Sequence, residues 1–234
     1  IEGEKVGGAG SGVKLHAPSM GTRPKEENMP AVKDYTREED LLNRLLTQNP
    51  GRTVSRALDS AWGHLILPAP DETPARPESG ARVLFIGSWI LGRLGLQGIR
   101  QAVRKHPGRL NLVALVTDDP LDPSAKISAH KRFWRYYSEQ TREDYELRIL
   151  EDGLALGVPC YTGEVKNAVF RNLLAQWDPE IIIVCAFGQL IDREIIERPG
   201  LGIYNVHPSD LLHHVGAGPQ PWEDIVARKA VTNR

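Results

Sequence analysis

Residues 81–117, ARVLFIGSWILGRLGLQGIRQAVRKHPGRLNLVALVT, decide the fold of this chain. They contain two short apolar runs, 82–86 (RVLFI) and 112–116 (LVALV), of the composition that buried strands favour. Between the runs, Gly87 marks a turn, and residues 91–106 carry apolar side chains at the spacing of one helix face. The stretch therefore predicts a strand, a tight turn, a helix and a second strand.

The same alternation continues downstream. The sequence predicts helices over 141–157 and 167–177, and strands over 158–161, 181–186 (IIIVCA) and 202–206. Strands that are apolar on both faces and alternate with helices indicate a parallel sheet covered on both sides. We predict a Rossmann-like, doubly wound, mainly parallel α/β fold, whose functional site lies at the carboxyl ends of its strands.

The first 80 residues differ in composition from the rest of the chain. Glycines crowd one end of this segment and prolines the other, so few apolar residues are available to offset the entropy of ordering it. We predict a poorly ordered extension over 1–80 and an α/β domain over 81–234. Within the extension, apolar spacing over 37–67 predicts two short helices that are broken at Asn49-Pro50-Gly51.

Composition excludes several classes of protein. The chain has 234 residues, with 29 Lys plus Arg against 30 Asp plus Glu, so its net charge of -1 disfavours a general polyanion binder. The longest apolar run, 181–187, is far short of the roughly 20 residues that span a bilayer. Cys160 and Cys185 lie in or beside predicted strands without metal-ligand spacing, which indicates reduced core thiols in a cytoplasmic protein.

Four segments at the predicted strand ends are candidates for the site: Gly87-Ser88, 118–126, 187–190 and 205–218. The glycines of 87–98 lack the GxGxxG spacing of a nucleotide loop, and a tight strand-to-helix turn explains them equally well. Gly87 and Ser88 stay minor substrate-binding candidates, because amides at a helix start can hold a phosphate or carboxylate.

Asn205 and His207 are the most informative pair of residues. Residues two apart on a strand project the same way, so a carboxamide and an imidazole would point together into the cleft. The amide can donate to the oxyanion of an attacked carbonyl, and the imidazole can move the proton of an amine. The pair suits acyl transfer, although Asn and His are also ordinary residues at a strand end.

Three motifs, 187–191 (FGQLI), 199–209 (PGLGIYNVHPS) and 216–219 (GAGP), resemble the folate-dependent formyltransferases. That family includes methionyl-tRNA, phosphoribosylglycinamide and sugar-nucleotide formyltransferases. The resemblance implies formyl transfer from 10-formyltetrahydrofolate to a primary amine, without a metal. It implies that Asn205 stabilises the oxyanion and that His207 assists proton transfer. It also implies that Ser209 contacts the substrate. The residues that it implies for the pterin are Phe187, Gly188, Gln189 and Leu190.

The sequence also departs from the family pattern. The family has a catalytic aspartate beyond the histidine, and no matching residue occurs before Arg234, so we expect the natural chain to continue. The tRNA-acting members carry an additional C-terminal barrel, and the pI near 6.7 does not favour RNA. We therefore expect a small amine, such as a nucleotide-linked amino sugar, as acceptor in preference to tRNA. The oligomeric state cannot be read from the sequence.

Other interpretations remain open at this stage. Water could replace the amine, which would make the protein a formyltetrahydrofolate hydrolase, or the cleft could bind folate or a protein without turnover. His207, His213 and His214 have no carboxylate at metal-ligand spacing, so a zinc site is disfavoured. Residues 126–148 mix basic and aromatic side chains, which fits a partly buried amphipathic helix or an acceptor-binding surface.

Overall fold

The computed structural model describes residues 36–56, 63–71, 79–120 and 139–207. All of them belong to the compact unit Asp34–Arg234, whereas the unit Ile1–Lys33 lies outside the described residues. The helices are α1 (Thr36–Gln48), α2 (Trp89–Lys105), α3 (Glu139–Leu154), α4 (Ala168–Trp177) and α5 (Arg193–Ile196). The strands are β1 (Thr53–Arg56), β2 (Gly63–Leu67), β3 (Ala81–Gly87), β4 (Leu110–Thr117), β5 (Cys160–Gly163), β6 (Ile181–Cys185) and β7 (Ile203–Val206).

The described strands form one seven-stranded sheet in the order β1-β2-β5-β4-β3-β6-β7. All neighbours from β5 to β7 run parallel, and Phe85 of β3 lies opposite Leu115 of β4 and Ile183 of β6. At the other edge, β1 pairs antiparallel with β2, which pairs antiparallel with β5. The prediction of a mainly parallel, doubly wound α/β fold is confirmed.

Side chains of the central strands alternate between two cores, because successive residues of a strand face opposite sides of the sheet. Phe85 packs into the core beneath α1, α2 and α3, whereas Leu84 and Ile86 pack into the core beneath α4 and α5. The helices bury apolar side chains in these cores: Leu41, Leu45, Leu96, Leu150 and Leu154 in the first, and Phe170, Leu173, Leu174, Trp177 and Ile195 in the second. Helices on both faces explain why the strands read as continuous apolar runs.

The helices and strands predicted beyond residue 80 all occur, with ends that differ by three residues or fewer. The start of α4 could be predicted because an asparagine caps it. Asn167 is the N-cap residue, and its side-chain oxygen accepts from the Phe170 N–H at 2.8 Å. The four-residue helix α5 was not predicted. It starts after the cap residue Asp192 and is too short to display a helical period.

The segment before residue 80 differs most from expectation. The first predicted helix is present as α1, but the second is wrong, because residues 53–56 and 63–67 form the strands β1 and β2. Leu58 and Trp62, which helped to suggest a helix, lie outside the described residues. Pairing with β5 satisfies the backbone of β2 and buries Ile66 completely, so tertiary pairing overrides a short apolar spacing.

Helix α1 is part of the first core. Leu41 and Leu45 are fully buried there, and Arg37 Nη2 donates to Glu146 Oε2 of α3 at 2.7 Å. The described part of the predicted extension thus packs on the α/β sheet, upstream of the expected boundary at residue 81. Residues 1–35 lie outside the described part of the chain.

Replacing Leu45 with alanine is expected to destabilise the protein by about 3 kcal/mol, because it removes a fully buried side chain and leaves a cavity. Urea unfolding followed by circular dichroism measures the change. Leu94→Ala is the matched control, since Leu94 lies on α2 with 56% of its surface exposed. Equal stability of the two variants would show that α1 does not contribute to the core.

Candidate active site

The carboxyl ends of the five parallel strands lie side by side at one end of the sheet, which we call the carboxyl edge. Functional sites of such folds lie at this end. The residues that follow these strands are Ser88 after β3, Asp118 after β4, Glu164 after β5, Ala186 after β6 and His207 after β7. Ala186 begins the β6 loop, which comprises residues 186–190. Of the predicted site segments, residues 121–126 and 208–218 lie outside the described residues.

The glycines that follow β3 allow α2 to lie close to the sheet. A Cβ at Gly87 would come within 2.6 Å of the Phe85 ring, and one at Gly92 within 2.8 Å of the Gly87 backbone. Side chains at these positions would force the helix and strand apart. Gly87 and Gly92 thus act in packing, which supports a tight strand-to-helix turn in preference to a nucleotide-binding loop.

The start of α2 is occupied by groups of the protein itself. Ser88 is fully buried, and its Oγ accepts from the Asp118 N–H at 3.0 Å. The Trp89 N–H donates to the carboxylate of Asp119, which is also fully buried. A protein carboxylate is therefore the anion at this helix N-terminus. Gly87 and Ser88, the minor substrate-binding candidates, are both buried.

The β6 loop was predicted to hold a pterin, and part of its backbone is hydrogen-bonded to other groups of the protein. Ala186 has a left-handed φ of 53°, which turns the chain directly after β6. The Gly188 N–H donates to Asp118 Oδ2 at 3.0 Å. Phe187 packs partly against the second core, and Leu190 is 61% exposed. The loop thus presents apolar surface, while the Gly188 amide is turned toward the protein.

Gln189 uses its side chain to connect the β6 loop with the end of β5. Its Oε1 accepts from the Val165 N–H at 3.0 Å, and its Nε2 donates to the Gly163 carbonyl at 2.7 Å. Both ends of the carboxamide therefore bind backbone groups of one neighbouring segment. Gln189 was predicted to contact the pterin, and the structure instead directs its side chain toward β5.

Asp118 and Asp119 lie in the predicted site segment 118–126, but sequence reasoning assigned no role to either side chain. In the structure both aspartates are fully buried and reach to the β6 loop and to α2, and the Asp119 carbonyl accepts from Thr162 Oγ1 at 2.6 Å. Two acids directly after a buried parallel strand were the available signal, because charged groups are buried only where they are paired.

Asn205 and His207 lie at the end of β7. In this strand Asn205 lies opposite Val184 of β6, and His207 is the first residue beyond the strand. Asn205 is exposed and His207 is partly exposed. They are two residues apart in the sequence, and that both side chains point into one cleft stays a prediction. Both lie at the carboxyl edge, where a substrate can reach them.

Several predicted positions fall outside the described residues: Ser209, His213, His214 and residues 126–138 of the basic and aromatic segment. Residues 139–148 of that segment belong to helix α3, in which Glu146 is fully buried. Within the described ranges, no group of three or more His, Cys, Asp or Glu residues has the arrangement of a metal site. Over the same ranges, no helix is both long and apolar enough to cross a membrane.

Both cysteines are buried thiols. Burial raises the pKa of Cys160 well above its ordinary value, and it also raises the pKa of Cys185. Cys185 ends β6, and its Sγ donates to the Leu91 carbonyl of α2 at 3.3 Å. A thiol with a raised pKa is a poor nucleophile, so neither cysteine suits covalent catalysis.

Asp192 fixes the chain just beyond the β6 loop. Its carboxylate accepts from Arg171 of α4 and, at 3.3 Å, from the Ile195 N–H of α5. Burial by itself would raise the pKa of Asp192, but the hydrogen bonds from Arg171 and Ile195 outweigh it and lower the pKa. The start of α5 is thereby tied to α4.

Comparison with known proteins identifies the family. The sequence pattern described as "Formyl transferase" matches residues 101–224, which is more than half of the chain and includes Asn205 and His207. The chain belongs to the formyl transferase family. The match also covers β4, β5, β6, β7 and the β6 loop, whereas the end of β3 precedes it.

Relatives in this family are similar to limited parts of the chain. The methionyl-tRNA formyltransferase of Orientia tsutsugamushi is 29% identical over 140 residues, which are 59% of this chain and 38% of that protein. Those of Syntrophus aciditrophicus and Clostridioides difficile are 40% identical over 58 residues and 38% over 75 residues. The latter two alignments cover 25% and 32% of this chain, and 19% and 24% of the relatives. The chain thus spans between a fifth and two fifths of these relatives.

The names of these relatives contradict one prediction. We expected a small amine, such as an amino sugar on a nucleotide, in preference to tRNA, yet these formyl transferase relatives are all named for methionyl-tRNA. The expectation used the charge of this chain and the extent of the given sequence. Because the chain matches less than half of each relative, neither observation describes a whole protein.

The cysteines of this formyl transferase family member are expected to react slowly. Iodoacetamide at pH 8 should label Cys160 and Cys185 at least about tenfold more slowly in the folded protein than in urea, because a raised pKa lowers the thiolate fraction. Mass spectrometry of the labelled peptides measures both rates. Fast labelling of Cys185 in the folded state would contradict its buried position.

Asp192→Asn is expected to reduce stability at pH 7 and to have less effect in acid. The folded-state pKa of Asp192 is lowered from 3.8, so its contribution is complete above that pH and is lost as the pH falls through the folded value. Urea unfolding from pH 7 to pH 3 measures the difference between the variant and the parent. Asp71→Asn, at an exposed position, is the control, and a difference independent of pH would contradict the ion pair.

Proposed function

We propose that this chain forms part of an enzyme that transfers the formyl group of 10-formyltetrahydrofolate to the amino group of methionyl-tRNA. The observation that carries the proposal is the position of Asn205 and His207 within the formyl transferase match, at the carboxyl edge of the sheet. The named activity of the relatives supports tRNA as the acceptor. Residues from 81 onward would form the catalytic α/β unit. To this unit α1 adds a packed helix, and β1 and β2 add two strands to the sheet.

The β6 loop is the proposed site for the pterin ring. Leu190 is largely exposed and Phe187 is partly exposed, so the loop offers an apolar surface for a flat heterocycle. The amide of Gly188 and the side chain of Gln189 bind the protein itself. Hydrogen bonds to a pterin would therefore come from the other backbone groups of the loop.

Asn205 and His207 would perform the chemistry beside this loop. The amine nitrogen attacks the formyl carbon, a new C–N bond forms, and the carbonyl oxygen becomes an oxyanion to which the Asn205 side chain can donate. The bond from carbon to the folate nitrogen then breaks. His207 can take the proton from the amine and return one to the leaving nitrogen, so the proton balance closes within the site.

Placement of the two substrates contributes the rest of the rate. The β6 loop and the end of β7 follow adjacent parallel strands, so a formyl group above the loop lies within the reach of residues after β7. Holding the amine and the formyl carbon together replaces a bimolecular encounter with a reaction inside one complex. This requires no covalent intermediate on the protein, which agrees with the buried thiols.

Asn205→Ala and His207→Ala are expected to lower kcat by about 10²- to 10³-fold, because each removes a group that acts in the transition state. Folate affinity should be nearly unchanged, since neither side chain is proposed to hold the pterin. Formyl transfer to methionyl-tRNA, assayed in the natural protein, measures kcat, and titration calorimetry measures folate binding.

The matched controls are Asn172→Ala and His106→Ala, at exposed positions on α4 and after α2. Both control variants should keep full activity. If the parent protein releases formate without an acceptor as fast as it transfers the formyl group with one, the protein is a hydrolase. If both site variants transfer the formyl group at the rate of the parent, the proposed roles of Asn205 and His207 are excluded.

A further inference from the structure

We propose that Asp118 and Gln189 are positioning residues that hold the β6 loop in the shape required for the folate ring. The inference rests on the proposed function, because it concerns the loop assigned to the pterin. Neither side chain is proposed to touch folate. Asp118, which follows β4, binds the backbone of the loop, whereas Gln189, which is part of the loop, binds backbone groups at the end of β5.

The first tether comes from β4. Asp118 is fully buried, and its Oδ2 accepts from the Gly188 N–H at 3.0 Å. The Asp118 N–H in turn donates to Ser88 Oγ, which lies 3.1 Å from Thr117 Oγ1. The backbone of Asp118 is therefore held by groups at the ends of β3 and β4. A hydrogen bond to a buried charged acceptor is stronger than one between neutral groups.

The second tether leads to β5. Gln189 accepts from the Val165 N–H and donates to the Gly163 carbonyl, so its carboxamide pairs with two backbone groups of the same segment. That segment is held in turn, because Tyr161 Oη and Asn167 Nδ2 both donate to the Glu164 carbonyl. A side chain fixed at both ends has little freedom, and the backbone of residue 189 is fixed with it.

The loop needs such support because its own conformation is unfavourable. Ala186 has a left-handed φ of 53°, a region that residues with a Cβ seldom adopt. Leu190, at the other end of the loop, is largely exposed and gains little from burial. Without the tethers the loop would sample other shapes, and a folate ring would have to order it on binding.

Amide exchange tests the tethers without any ligand. The variants are Gln189→Met, which keeps the length of the side chain and removes both hydrogen bonds, and Asp118→Asn, which removes the charge. Hydrogen exchange measured by NMR should be at least tenfold faster at Val165 in the first variant and at Gly188 in the second. Gln176→Met on α4 and Asp71→Asn are the matched controls at exposed positions, and they should change neither amide.

Ligand binding tests the consequence for folate. The probe is 5-formyltetrahydrofolate, a stable isomer with the same ring system, titrated calorimetrically into the natural protein and its variants. We expect a Kd about five- to fiftyfold higher for Gln189→Met and about three- to tenfold higher for Asp118→Asn, as the loss of one or two hydrogen bonds predicts. In the transfer assay, KM for the formyl donor should rise and KM for the acceptor should stay constant.

The outcomes separate this inference from the proposed function. A parent protein that does not bind the probe would overturn the proposed function, whereas the exchange result would still report on the tethers. If the parent binds the probe and both folded variants bind it equally well, the positioning role is overturned. A variant that raises both KM values together would indicate general damage and would also contradict the inference.

Discussion

Two buried carboxylates at the end of β4 hold the functional edge of this protein together. A carboxylate removed from water is costly unless it is matched by hydrogen-bond donors, so each aspartate requires a donor from a nearby segment. Asp118 finds one in the β6 loop, and Asp119 finds one at the start of α2. The ends of β3, β4 and β6 are consequently fixed relative to one another by groups that lie inside the protein.

This arrangement divides the edge into a fixed part and an accessible part. The fixed part is the network around β4, where Ser88, Asp118 and Asp119 are fully buried. The accessible part is β7, where Asn205 is exposed and His207 is partly exposed. A formyl transfer site needs both: a stable support that places the donor, and polar side chains that reach the carbonyl as charge develops on it.

The region before residue 81 extends the family fold. The "Formyl transferase" pattern starts at residue 101, yet α1 packs into the first core and β2 continues the sheet beyond β5. The antiparallel pair covers the edge of β5, which would otherwise offer unpaired backbone groups. The prediction of a small-amine acceptor was wrong for a related reason. It relied on the composition of a chain that matches only part of its relatives, and this composition describes that part alone.

The order of apolar runs and helical spacings by itself determined the α/β class and every described element beyond residue 80 except α5, and it predicted at which edge of the sheet the site lies. It did so because strands buried on both faces must be continuously apolar. The pairing of Asn205 and His207 stays a prediction from their spacing, since residues two apart along an extended chain tend to share a face. Only the tertiary structure decided that β1 and β2 are strands, that an internal carboxylate fills the start of α2, and that Gln189 faces β5. Those outcomes depend on hydrogen bonds between segments distant in sequence, which local patterns do not encode.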